Sequence, residues 1–151
     1  MEKYIIFIDD EKDSNAALMR TYGEWVAKLT NHDYTAKYIL GHPIVQAISP
    51  LLELVADIHR RGDVVAGIVI DVVDLSQTPK ETYAGLELLD YCVNHPDLQG
   101  VPAALFTTTQ VPITEEEAKR RGAKGLVKRS LIGGHSATVE TREILHVLEL
   151  I

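Results

Sequence analysis

Three apolar runs and one short strand-like segment of this sequence each end in a residue able to do chemistry. Residues 4–8 run into Asp9-Asp10-Glu11, residues 64–70 into Asp71, residues 102–106 into Thr107, and residues 123–127 into Lys128. Carboxylates gathered in one place repel: two unit charges ~4 Å apart cost ~4 kcal/mol at an effective dielectric of 20. Three such groups need a counter-ion or a retained proton. Mg²⁺ is a hard, oxygen-seeking ion that keeps several waters, so it removes the repulsion and can still grip a phosphoryl oxygen. An ammonium from Lys128 and a hydroxyl from Thr107 would add neutralising and hydrogen-bonding contacts, the main requirement of phosphoryl transfer. A carboxylate can also be the nucleophile and become an acyl phosphate. Asp71 is the candidate, because it ends the most apolar run in the middle of the acidic set.

That chemistry requires a fold that brings the four run ends together. Tyr4-Ile5-Ile6-Phe7-Ile8 reads as a strand buried on both faces. Leu18, Tyr22, Trp25, Val26 and Leu29 then fall on one stripe of an amphipathic helix. Residues 34–40 read as a weaker strand. Ser49-Pro50 looks like a helix cap with proline at the first helical position, and that helix closes at Gly62. Residues 64–70 form the next strand, and Gly85-Leu86-Glu87-Leu88-Leu89 opens a helix that must stop near His95-Pro96. Residues 102–106 are a third apolar strand. Thr114-Glu115-Glu116-Glu117 is a capping box for a short helix ending at Gly122. Residues 123–127 form the last strand, and Val139, Ile144, Leu145, Leu148 and Ile151 mark the last helix. Strand then helix, five times over, predicts a doubly wound parallel sheet with helices on both faces. Working groups in such a sheet collect at the carboxyl ends of the strands.

Composition narrows the function classes. A length of 151 residues suits one domain. A net charge of −7 argues against nucleic acid and against an anionic membrane surface as partners. One cysteine, Cys92, forms no internal disulfide and points to a reducing compartment, hence a cytoplasmic chain. The histidines show no paired metal-ligand spacing, and Cys92 and Trp25 read as packing residues.

Taken together, Ile8-Asp9-Asp10-Glu11, Ile70-Asp71, Gly85-Leu86-Glu87-Leu88-Leu89, Pro102 with Thr107, and Gly122-Ala123 with Leu126-Val127-Lys128 resemble the receiver domain of response regulators. The motifs occur in order across nearly the whole chain. The resemblance implies a single receiver domain over residues 1–151, flavodoxin-like, with five parallel strands in the order 2-1-3-4-5. It implies that Asp71 accepts a phosphoryl group from a histidine kinase or a histidine phosphotransfer protein. Asp10, Asp71 and the backbone carbonyl of Val73 would bind Mg²⁺ directly, with Asp9 acting mostly through water. Lys128 would contact the phosphoryl group, and Thr107 would move toward it as the switch. The outcome would be a changed face for a downstream protein target, with homodimer formation through the last helices an open option. No external substrate would be turned over, so the chain would be a phosphoacceptor rather than an enzyme.

The sequence also departs from that pattern. Arg129 follows Lys128 where proline is usual, and Gly125 occupies the place of an aromatic switch residue. The stretches 71–85, 41–62 and 129–136 are long. Two alternatives therefore stay open: a degenerate receiver acting as a phosphorylation-independent interaction module, and a phosphohydrolase with an aspartate nucleophile. The second needs an Asp-x-Asp pair after the first strand, whereas Asp9 and Asp10 are adjacent and diverge on an extended backbone.

Overall fold

Ile5 and Phe7 enter one core cluster while Ile6 and Ile8 enter another, as the two-residue period of a strand covered on both faces requires. This strand, β1 (Lys3–Asp9), lies near the middle of the sheet in a computed structural model describing residues 1–9, 16–41, 44–72, 84–108, 112–129 and 137–151. It is followed by α1 (Ala16–Leu29), β2 (Thr35–Leu40), α2 (Ile48–Arg60), β3 (Val64–Asp71), α3 (Ala84–Asn94), β4 (Ala103–Thr108), α4 (Glu115–Arg120), β5 (Gly125–Arg129) and α5 (Ala137–Val147). The five strands are parallel, in the order β2-β1-β3-β4-β5.

The two clusters divide the helices between the faces. Leu51, Val55 and Ile58 of α2, Leu88, Leu89 and Cys92 of α3, and Ala118 of α4 pack with Ile6, Ile8, Ile68 and Ile70. Tyr22 and Val26 of α1 and Ile144 and Leu145 of α5 pack on the opposite face with Ile5, Phe7, Val69, Phe106 and Val127. Each fully buried side chain of this size contributes roughly 1.5–3 kcal/mol, so the central strands anchor the fold.

Local punctuation follows the sequence in most places. Thr114 caps α4, its hydroxyl accepting from the Glu117 N–H at 3.1 Å. Gly62 and Gly122 close α2 and α4 at φ of 79° and 104°, a backbone region that side-chain-bearing residues avoid. Two expectations need correction. Ser49 is not the cap of α2: a 3₁₀ turn over Ile44–Ala47 leads straight in, and Ala47 holds the cap position without a side-chain bond. Pro50 is then the third helical residue, still among the first four whose N–H groups lack intrahelical partners, so its missing donor costs little. The last helix ends at Val147, with Glu149 turned to a φ of 61°. Val139 and Ile151 are exposed, and the inward stripe runs instead through Glu140, Thr141, Ile144, Leu145 and Leu148.

Cys92 is buried in α3, and burial pushes its thiol up to about 12. Because the folded value lies above the ordinary ~8.5, the stability linked to this group is whole below that value. It is lost as pH rises toward about 12. Native Cys92 is expected to resist a thiol reagent at about pH 8 and to react once urea unfolds the chain. Equal labelling rates in the two conditions would contradict the packing.

Candidate functional site

Strand register sets the site. Ile8 of β1 pairs with Ile70 of β3, so Asp9 and Asp71, one residue further along, end neighbouring strands at one level. Asp71 is in register with Phe106 of β4, and the next β4 residue, Thr107, with Lys128 of β5. Four strands therefore deliver Asp9, Asp71, Thr107 and Lys128 to a single sheet edge. Asp10 and Val73, the other two expected metal ligands, lie outside the described residues, as does Glu11.

Burial distinguishes the four. Asp9 is 6% exposed, Asp71 8% and Thr107 0%, whereas Lys128 is exposed. Carboxylates this far from water demand compensating charge or donors. Thr107 Oγ1 is the one buried side-chain polar atom without a hydrogen-bond partner among the described residues. A buried hydroxyl left unpaired costs about 1–3 kcal/mol, and such orphans in native folds call for an explanation.

Backbone contacts fix the strand ends. The Gly41 N–H donates to the Asp9 carbonyl at 2.9 Å, and the Val72 N–H donates to the Phe106 carbonyl at 3.1 Å. The Gly85 N–H, at the start of α3, donates to the Val72 carbonyl at 3.0 Å. A side chain at Gly85 would strike the Asp71 carbonyl oxygen and come within 2.6 Å of Val72 Cα. Glycine is thus what lets α3 press against the residue proposed to carry the chemistry. In the sequence Gly85 opens a helix and belongs to a receiver-like motif, but its spacing shows no sign of this approach.

For a divalent cation, Asp9 and Asp71 offer two buried hard oxygen donors on adjacent strands, a donor set suited to Mg²⁺. Among the described residues no three His, Cys, Asp or Glu side chains form a metal-holding group. Among them, too, no helix is long and apolar enough to cross a membrane.

No family model matches the sequence. No curated protein matches it either. Solved structures match in fold. The chemotaxis response regulator CheY4 of Vibrio cholerae is 16% identical, with a TM-score of 0.61 over 97% of this chain and 98% of its own. A response regulator receiver protein from Burkholderia phymatum is 15% identical, with a TM-score of 0.62 over 99% and 98%. The Mn²⁺-bound form of the response regulator Rcp1 is 17% identical, with a TM-score of 0.63 over 99% and 96%. The chain therefore has the flavodoxin-like fold of response regulator receiver domains, along essentially its full length and theirs.

Proposed function

We propose that this chain is a phosphoacceptor receiver of a two-component phosphorelay, with Asp71 as the residue phosphorylated. The observation that carries the reading is the convergence of Asp9, Asp71, Thr107 and Lys128 on one sheet edge in a receiver fold. In the reaction a carboxylate oxygen of Asp71 bonds to phosphorus as the phosphorus–nitrogen bond of a donor phosphohistidine breaks. The imidazole keeps the bonding pair and takes up a proton. The Lys128 ammonium neutralises negative charge on the transferred group, and the Thr107 hydroxyl donates to one of its oxygens. Asp10, Asp71 and the Val73 carbonyl, with Asp9 acting mostly through water, would hold a Mg²⁺ that would neutralise charge on the phosphoryl oxygens. The Mn²⁺-bound Rcp1 structure supports a divalent ion in this fold. The partners on this reading are a histidine kinase or phosphotransfer protein and a downstream protein target in the cytoplasm; the chain turns over no external substrate.

The test is binding of beryllofluoride, a phosphoryl mimic, followed by fluorine NMR with and without Mg²⁺. A Mg²⁺-dependent bound signal is expected; its absence from folded protein would refute the reading. Asp10→Ala is expected to weaken Mg²⁺ binding at least about tenfold, since even outer-shell partners cost that much. An unchanged titration would remove Asp10 from the ligand set.

One observation favours a second reading. Gly125 is buried, and a side chain there would meet Val147 of α5 at 2.9 Å, so no β5 side chain moves between strand and helix at this point. A phosphorylation-independent interaction module would have no use for one. The fluorine signal discriminates the two readings.

A further inference from the structure

A buried carboxylate joins the two helices on one face of the sheet. Glu140, in the first turn of α5, is 6% exposed, and Tyr22 of α1 is 2% exposed. The Tyr22 hydroxyl donates to Glu140 Oε1 at 3.1 Å across 118 residues of sequence. It also lies 3.5 Å from Oε2. A carboxylate in apolar surroundings is costly without donors, and the Tyr22 hydroxyl is one it has. A helix N-terminus also favours the negative charge.

The Tyr22 ring ties that joint to the site. It meets Phe106 edge-on, with centroids 5.4 Å apart at 79°, and stacks on Phe7 at 6.2 Å and 7°. Phe106 is the register partner of Asp71 and the residue before Thr107; Phe7 lies two residues before Asp9. One ring thus touches the two strands that deliver Thr107 and Asp9, while its hydroxyl holds α5. Next to it, β5 meets α5 through the backbone of Gly125 against Val147.

We infer that the Tyr22–Glu140 hydrogen bond is the positioning contact through which occupancy of Asp71 alters the α1–α5 joint. The inference rests on Asp71 being the acceptor. When a phosphoryl oxygen satisfies the orphan Thr107 hydroxyl, β4 shifts at Thr107 and with it Phe106. The Tyr22 ring cannot follow Phe106 without lengthening its bond to Glu140. The joint therefore has two arrangements, and the bound group selects between them.

The experiment measures amide hydrogen exchange over Ala16–Leu29 and Ala137–Val147 with and without beryllofluoride and Mg²⁺. Fluorine NMR on the same samples reports binding. Wild type is expected to change exchange in both helices at least about fivefold, the lower end of usual coupling between sites. Tyr22→Phe and Glu140→Met break the same contact from opposite ends. Both are expected to keep the fluorine signal and lose the change. A merely structural role would speed exchange equally in bound and free protein and leave their ratio intact. Either variant, folded and binding, with the wild-type ratio would overturn the inference, as would bound wild type with no change in the two helices. No fluorine signal in wild type would instead overturn the Asp71 reading and this inference with it.

Discussion

Replacing Asp71 with alanine is expected to reduce Mg²⁺-dependent labelling by acetyl phosphate to background while leaving the protein folded. Asp71 ends the most apolar strand and is 8% exposed, with Ile70 before it fully buried. Its carboxylate is the only group in the proposed reaction that forms a bond to phosphorus, so nothing else at the edge substitutes for it. On the proposed reading Lys128 and Thr107 would supply charge and a donor, which would modulate a rate, whereas loss of the nucleophile would remove the reaction. The fold should tolerate the change, because removing a carboxylate from an acidic edge relieves repulsion. Labelling of Asp71→Ala at the wild-type level, measured by intact mass, would take the residue out of its role.

Gly85→Ala is expected to be the most damaging single-methyl substitution near the site. Two effects compete. Alanine in a helix is favoured over glycine by about 1 kcal/mol. Against this, the new Cβ would be 2.6 Å from Val72 Cα and closer still to the Asp71 carbonyl oxygen, both backbone atoms. Such overpacking costs typically 1–3 kcal/mol, and backbone cannot swing aside as a side chain does. The clash should win: α3 backs away, the Gly85-to-Val72 hydrogen bond lengthens, and the Asp71 backbone shifts. A net loss of up to about 2 kcal/mol is expected in urea unfolding, with slower phosphorylation. A variant as stable and as readily labelled as wild type would show that α3 does not position Asp71.

The strand ends at Asp9, Asp71 and Thr107 are readable because each is announced by an apolar run, and parallel βα units leave few arrangements for them and for the short strand before Lys128. Register did the rest, aligning Asp71 with Phe106 and Thr107 with Lys128. Other features depend on contacts distant in sequence. Gly85 shows only when α3 is laid against β3. Glu140 left a trace, four residues before Ile144 and eight before Leu148 on the inward stripe of α5, but periodicity alone gives a buried carboxylate no partner. Tyr22, likewise, reads as core in the α1 stripe, and only the packed helices reveal its hydroxyl donating to Glu140. At the start of α2, Ser49-Pro50 carries a strong local cap signal, but a 3₁₀ turn upstream sets the entry.

The position of the acyl phosphate settles the matter most directly. Wild-type protein phosphorylated with acetyl phosphate and Mg²⁺, then reduced with borohydride, converts the modified aspartate to homoserine, which peptide sequencing places. Homoserine is expected at residue 71. Homoserine at residue 9 or 10 instead, or at no aspartate of the chain, would contradict it.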